Sequence, residues 1–570
     1  MEANYRRGAK TRLRLSIRRK KSNNIYKYNA ARAVGLPCST KNILPTSRTT
    51  EKESILPNVE IIANITESSP ESPEIEKRKT VENNDFPNEE EIFSATEPSL
   101  APIVKGNKRN STSAVSIDGL RVVDLQKFIE SLKTLSTHST LFGCSLVNLQ
   151  VVKELKVGYQ TKLTFKCDMC GFSKSIHTCP ESPQSVDVNT SAVTAVMNVG
   201  GGYTQLVNIT GAMNIPSLSF SLYKKIHSEI CTAWEDLAWK SMKEAAEEEK
   251  MIALQCGSVD VNGTPMITVV GDGSWAKRSY RGTGNYNSLS GTAAIVGLKS
   301  KKILYLGVKN KYCCVCQRAK NIGTEAAAHT CYKNWNLSST AMEANIIAEG
   351  FCASLEMYGL IYNKLIADGD SSCYKKLLDS RPYETCTVEK IECSNHLLRN
   401  YCNKLKELSK MRGIPGSLKN ILSNNILRCR TAVVKAIKYR RSEANTSLED
   451  NIKNLRKDII NSVSHIFGEH LNCSELRYFC EKTEPDQNNY MSDFRTLNLD
   501  EKLMDAVRYL AGHSRSLLEN VTTNVVEQFN SIIAQKLGGK RVNYTQRRCY
   551  QGRCYCIAPE RQYKKWKCVN

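Results

Sequence analysis

No apolar run in the chain approaches the roughly 20 residues that a helix needs to cross a bilayer, which excludes a membrane-spanning helix. The basic stretch Met1 to Lys21 has no apolar segment behind it, so a secretory signal peptide is not expected and the thiols are expected in a reducing compartment. Negative charge is the scarce sign: 57 Asp and Glu stand against 80 Lys and Arg, a formal net charge of +23. An excess of that size speaks to partners rather than to fold, and it points to a polyanion. Cysteine is plentiful, with 23 residues, an odd count that leaves one thiol over in any fully paired disulfide framework. In a reducing compartment zinc explains these thiols better than disulfides do. With 41% hydrophobic and 24% charged residues over 570 positions, the chain can bury a sizeable core in a few folded units of roughly 150 residues each.

Residues 1–117 are rich in Ser, Asn, Pro and charge and have no sustained apolar period, so they are expected to be a disordered tail. The tail opens on a basic arm, Arg6 to Lys21, suited to nuclear import or nucleic-acid contact, and continues through an acidic patch from Glu71 to Glu91. Order is expected from about Ile117, where Leu120, Val122, Val123, Leu125, Phe128, Ile129 and Leu132 approach helical spacing. Residues 118–255 then read as a small α+β unit containing cysteines, closed by one long amphipathic helix over Ser219 to Leu254 that bridges to the next unit. From Pro265 the pattern changes. Pro265 to Asp272, Thr292 to Leu298 and Lys302 to Val308 read as three strands joined by short turns; Met342 to Tyr358 reads as a helix, Leu360 to Ala367 as a strand, Ser371 to Leu378 as a helix and Thr387 to Cys393 as a strand. That βββαβαβ order predicts an α/β fold with a ribonuclease H-like mixed sheet over 256–400. A helical insertion follows over 401–515, then the sheet domain's last helix, about Thr522 to Lys536, within 516–558, and a basic C-terminal tail over 559–570.

In such a sheet the ends of the first and fourth strands lie side by side, which would bring Asp272 to Asp368, and a late helix crossing the sheet could add Glu527. Hard carboxylate oxygens suit two Mg²⁺ or Mn²⁺ ions, and a paired-ion site can activate an attacking oxygen and stabilise a leaving one in phosphodiester chemistry. Asp-Gly-Asp370 offers a second carboxylate two residues after Asp368, and the spacing leaves the choice between them open.

Several segments together resemble one family: Asp272-Gly-Ser-Trp-Ala-Lys-Arg278, Ser290-Gly-Thr292, Ser338-Ser-Thr-Ala-Met-Glu343, Ala367-Asp-Gly-Asp-Ser-Ser372, Lys390-Ile-Glu-Cys-Ser-Asn-His396, and Asn524-Val-Val-Glu527 leading to Gly538-Gly-Lys-Arg541. The chain resembles the Mutator-like transposases, in particular the arthropod-type domain, from about residue 118 to about 558. The resemblance implies that Asp272, Asp368 and Glu527 form a DDE triad, with Asp370 the rival for the second place. It also implies that Cys393 and His396 are the Cys/His motif such enzymes carry between the second Asp and the Glu. Expected partners are double-stranded DNA, as transposon ends and target, and a second copy of the chain; the expected location is the nucleus. Lys277, Arg278, Lys540 and Arg541 flank the triad and are expected to contact phosphates.

Cys313 and Cys316 have the spacing that brings two thiolates to one metal, and His329 with Cys331 can complete a Cys₃His zinc set, leaving Cys314 spare. Cys167 and Cys170 form a similar half-site. Upstream, where relatives present a second pair, stands Cys144 with His138 nearby, and His177 and Cys179 are downstream alternatives. Cys549, Cys554, Cys556 and Cys568 lie among Arg547, Arg548, Arg553, Lys564, Lys565 and Trp566, a composition that suits either DNA contact or an altered terminus. The leading reading is a DNA transposase that cleaves strands and transfers them. The alternatives are a domesticated relative that only binds DNA, which loss of a triad carboxylate would favour, and a nuclease on the same fold.

Overall fold

The computed structural model describes residues 115–136, 138, 141–180, 187–276, 288–369, 371–473, 480, 482, 484–540 and 542–562. The expected tail up to residue 114, Lys277, Arg278, Asp370, Arg541, the side chain of Lys540 and the last eight residues lie outside this set.

The first helix, α1 (Leu125–Ser136), begins later than the apolar spacing suggests because the Asp124 carboxylate accepts the Lys127 N–H at 2.9 Å and caps it there. Leu120, Val122 and Val123 therefore precede the helix. Phe128, Leu132 and Leu135 of α1 pack on an antiparallel sheet of β1 (Leu149–Val157), β2 (Gln160–Cys167) and β3 (Ser173–His177), where Val151, Leu163, Phe165 and Ile176 meet them. Two short helices follow, α2 (Val188–Asn198) and α3 (Tyr203–Ala212), and then the 36-residue α4 (Phe220–Gln255), whose N-terminal Ser219 accepts the Leu222 N–H.

The helix α4 contributes to three cores in turn: Tyr223, Ile226 and Ile230 pack with α2, Ala238 and Met242 with one side of the central sheet, and Ala245, Ala246 and Ala253 with the other. Everything described belongs to one compact unit, Lys108–Asn570.

The central sheet is mixed. Strands β4 (Met266–Trp275), β5 (Ser290–Gly297) and β6 (Ile303–Asn310) form an antiparallel meander. After α5 (Cys314–Asn321) and α6 (Ala341–Tyr358), strand β7 (Ile361–Ala367) pairs parallel to β4, and after α7 (Ser371–Ser380), β8 (Glu389–Glu392) pairs parallel to β7. The strand order is β6-β5-β4-β7-β8.

Between β8 and the end of the sheet's helical cover run α8 (Ser394–Leu408), α9 (Gly416–Ser442), α10 (Leu448–Ile466), α11 (Tyr490–Thr496), α12 (Leu499–Gly512) and α13 (Ser514–Glu519), packed around their own apolar core. A buried ion pair ties α9 to α10: Arg440 donates to Asp458 at 2.7 and 3.0 Å. Then α14 (Asn524–Lys536), α15 (Cys549–Tyr555) and α16 (Ile557–Gln562) return to the sheet.

Period-two alternation sorts the sheet into two faces. Ile267 and Val269 of β4 and Leu365 of β7 join Ile346, Ile347 and Phe351 of α6 on one face; Val270, Ile366 and Ile391 join Val526, Phe529 and Ile533 of α14 on the other. Apolar residues at 526, 529 and 533 give α14 a stripe of helical period against that second face.

The C-terminal cysteines do not form a DNA-contacting tail among the described residues. Cys554 is 0% and Arg553 1% exposed, and α15 packs on α4. The Arg553 guanidinium donates to the carbonyls of Met197, Lys536 and Gly201 at 2.6, 3.0 and 2.5 Å and stacks on Tyr544, so this basic residue is a bolt between α2, α14 and α15.

Candidate active site

Strand register brings the carboxylates together. Parallel pairing of β4 with β7 stops at Val270 opposite Ile366, whereas antiparallel pairing with β5 continues as far as Trp275 opposite Gly291. Asp272 thus lies within β4, not at its end as the β-branched run suggests, but it stands just past the last parallel pair. Asp368, just past β7, is its counterpart two residues on. Asp272 shares the face of Val270 by alternation, which is the α14 face. Glu527 projects from the first turn of α14, whose Asn530, one turn later, donates to the Asp272 carboxylate at 2.9 Å and to the Gly273 carbonyl at 3.2 Å. An open depression of about 430 Å³ is lined here by Asp272, Trp275, Glu527, Asn530 and Ser531.

Burial pushes the Asp272 carboxyl up, and the negative charges of Asp368 and Glu527 push the same way. Hydrogen bonds from the Gly273 N–H and Asn530 pull back less, leaving it at about 6 against an ordinary 3.8. Three like charges converging on one depression are costly without a cation, and their donor set is all hard oxygen.

Cys393 and His396 sit beside this group. Cys393 follows Ile391 on the α14 face and is fully buried; its sulfur lies 3.4 Å from the Thr523 N–H and 3.3 Å from the Thr523 hydroxyl. That hydroxyl has one proton, and Glu527 Oε1 stands 2.9 Å away to accept it. The pair Cys393–Thr523 therefore fixes the start of α14 and orients Glu527. His396, in the first turn of α8, holds Nε2 3.7 Å from Glu527 Oε1, while its Nδ1 is buried without a hydrogen-bond partner among the described residues. Sequence reasoning missed Thr523 and Asn530; the i, i+3 spacing of Glu527 and Asn530 on a helix with a known buried stripe is the signal that could have found the latter.

The other quoted segments brace the same end of the sheet. Trp275 Nε1–H donates to the Ser339 carbonyl at 2.9 Å, Ser339 donates to the Ser288 carbonyl at 2.7 Å, and Thr292 donates to the Gly307 carbonyl at 2.7 Å.

A family model described as Mutator-like transposase matches residues 119–480, more than half of the chain. The chain belongs to the Mutator-like transposase family. Membership implies transposase-related function and divalent-metal use. A comparison with curated proteins gives no match. In this family member no helix among the described residues is long and apolar enough to cross a membrane.

The family member also gathers metal-binding side chains away from the carboxylates, and its described cysteines are all unbridged. Cys313, Cys316, His329 and Cys331 present ligand atoms within 4.8 Å of one another. His329 Nδ1–H donates to the Ala327 carbonyl at 2.7 Å, which turns the Nε2 lone pair toward Cys313 and Cys316 at 3.3 and 3.4 Å. Cys314 starts α5 outside the group. Cys144, Cys167 and Cys170 form a second group, and its fourth member is His138, with Nδ1 on the Leu135 carbonyl at 3.0 Å. Cys179 lies elsewhere, 3.7 Å from the Val122 carbonyl. Both Cys-x2-Cys turns prepare a thiolate in the same way. Burial raises the leading thiol, but the backbone N–H groups two and three residues on, with the histidine, outweigh it: Cys167 falls to about 6 and Cys313 to about 7.

Proposed function

We propose that the protein is a DDE-type DNA transposase on a ribonuclease H-like sheet with a helical insertion, cleaving strands at transposon ends and joining them to target DNA. The observation that supports this most is the coincidence of register and helix face: Asp272 and Glu527 line one depression from a strand and a late helix, and Asp368, just past the strand parallel to β4, stands near enough for its charge to raise the Asp272 carboxyl. The residues fit a pair of divalent cations, since three hard carboxylates share one site and burial with mutual repulsion holds Asp272 at about 6. Asp272, Asp368 and Glu527 would hold two Mg²⁺ or Mn²⁺ ions, which when bound supply Lewis-acid activation of the attacking oxygen and charge stabilisation of the leaving one. Asn530 keeps the Asp272 carboxylate turned into the depression; Thr523, backed by Cys393, does the same for Glu527. The His396 imidazole, with one nitrogen toward Glu527 and the other unpartnered, can hold a proton or a phosphate oxygen at that edge.

The Cys313 and Cys167 groups would each hold a structural zinc, in a Cys₃His set completed by His329 and by His138 respectively. Lys277, Arg278, Lys540 and Arg541 would add contacts to phosphates, and action in the nucleus as an oligomer on paired transposon ends follows from the reaction. The three carboxylates favour chemistry over a binding-only domesticated role. The test is Mg²⁺-dependent cleavage of transposon-end DNA: Asp272→Asn and Glu527→Gln each abolish it while leaving duplex binding near that of the parent. Normal cutting by Glu527→Gln rejects the reading.

A further inference from the structure

A third group of metal-binding side chains stands apart from both of these and from the carboxylates, in the connection between α10 and α11. His465 closes α10, and His470, Cys473 and Cys480 follow in the loop, with one ligand atom from each within 4.8 Å of the others. Four of the six internal distances have the values of a tetrahedron, and the other two lie within 4.8 Å. A zinc ion with Zn–S of about 2.3 Å and Zn–N of about 2.0–2.1 Å sets its ligands about 3.4 Å apart for two nitrogens and about 3.6 Å apart for sulfur and nitrogen. Here the two Nδ1 atoms are 3.2 Å apart, Cys473 Sγ lies 3.6 Å from each of them, and Cys480 Sγ lies 3.7 Å from His470 Nδ1.

A second observation is independent of that spacing. Asp486 places a carboxylate oxygen 3.3 Å from the buried His470 Nε2, close though not aligned as a hydrogen bond, so a proton on Nε2 is favoured and the Nδ1 lone pair is left to face the group, the carboxylate–histidine arrangement usual behind a metal. The Asp486 N–H in turn donates to the Gly468 carbonyl at 2.9 Å. Cys473 also accepts from the Asn461 amide at 3.5 Å and Cys480 from the Lys482 N–H at 3.3 Å. Cys473 is 0% and His470 2% exposed, so two of the four donors are withdrawn from water. Without a cation the four groups can pair only if one imidazole carries its proton on Nδ1 and donates to the other, whereas one cation satisfies all four donors at once.

We propose that His465, His470, Cys473 and Cys480 bind a structural Zn²⁺ that pins the loop after α10 and sets where α11 begins. The choice of zinc follows from two soft thiolates with two imidazoles in a closed tetrahedron with no open position. The proposal is independent of the catalytic reading.

Metal content of the full-length protein, measured by plasma mass spectrometry, tests it. The Cys473→Ser/Cys480→Ser double variant should hold one zinc per chain fewer than the parent, and unchanged zinc overturns the site. Because a ligand variant can fail to fold, a second measurement uses the unaltered chain: alkylation under reducing conditions, with and without phenanthroline, read by peptide mass spectrometry. Cys473 and Cys480 should be protected until the chelator is added and then modified. Alkylation of both without chelator, or protection of both regardless of it, overturns the proposal; the first outcome is also that of a disulfide or an open thiol pair.

Discussion

Two uncharged residues, Asn530 and Thr523, each grip one of the carboxylates by a hydrogen bond under 3 Å, and on the proposed reading they set how well those carboxylates hold metal. Removing such a grip leaves the charge but frees the rotamer, and outer partners of this kind are worth about 10–100-fold in metal affinity or activity. Thr523→Val is expected to lower cleavage about tenfold and to raise the Mg²⁺ concentration needed for half-maximal rate, with DNA affinity unchanged; Thr523→Ser restores both. A metal titration of the cleavage rate checks it, and an unshifted midpoint would assign Thr523 to helix capping alone. At the second position, Asp368→Asn should be inactive and Asp370→Asn active; the reverse pattern moves the ligand by two residues. A different residue sets a pH limit on the fold. His227 is buried on α4, and burial first, then the charges of Arg553 and Arg547, hold its imidazole down to about 4. In the unfolded chain it titrates near 6.5, so between those values the unfolded state binds more protons and stability falls as pH falls. At pH 5 this amounts to about 2 kcal/mol relative to neutral pH. Urea denaturation of His227→Gln at pH 7.5 and pH 5 should show a smaller loss between the two than the parent does.

At the scale of elements, what could be read in the sequence was what repeats with a simple period. The β-branched run of β4, the apolar ends of β7 and the 526, 529, 533 stripe of α14 are readable, so those elements and the positions of Asp272, Asp368 and Glu527 on them follow, whereas the reading of the three as a triad came with the family resemblance. Where polar side chains interrupt the period the elements were not legible: β1 (Leu149–Val157) and β2 (Gln160–Cys167) carry Lys and Thr at partly covered positions, and α8 begins inside the Cys393–His396 motif. The His-x4-His spacing of His465 and His470 and the Cys-x6-Cys spacing of Cys473 and Cys480 lack the Cys-x2-Cys signature that exposed the other two groups. The 313–331 loop supplies a direct comparison of its thiols. Cys316→Ser should cost one zinc per chain and lower the melting temperature, whereas Cys314→Ser, outside the group, should change neither; equal zinc in both variants removes the metal from this loop. The α15 bolt makes a second demand. Arg553→Met takes the guanidinium donors from the Lys536 and Gly201 carbonyls, at about 1–3 kcal/mol each, while the Met197 carbonyl still accepts from the Gly200 N–H, so a destabilisation of at least about 2 kcal/mol is expected by urea unfolding. Arg553→Lys should rescue little of it, since one ammonium cannot reproduce the planar fork or its stacking on Tyr544.

For the whole molecule the governing quantity is the charge of +23. The proposed chemistry at the depression needs three negative groups, and these would repel DNA, so the affinity for duplex would have to come from elsewhere in the chain. That division separates binding from catalysis: neutralising Asp272 or Glu527 removes repulsion and cannot weaken phosphate contacts. Nine basic side chains between Arg6 and Lys21 form the densest positive segment. If they contact duplex in solution, each phosphate neutralised contributes about 0.9 to the slope of log affinity against log salt. Deleting residues 1–21 should then flatten that slope by several units on random duplex, and cleavage under single-turnover conditions at saturating DNA should persist because the carboxylates remain. Fluorescence anisotropy across a salt series measures the slope. A slope unchanged by the deletion would leave the arm to nuclear import and would assign the phosphate contacts to the rest of the chain, with Lys277, Arg278, Lys540 and Arg541, near Asp272 and Glu527 in sequence, as the next residues to neutralise.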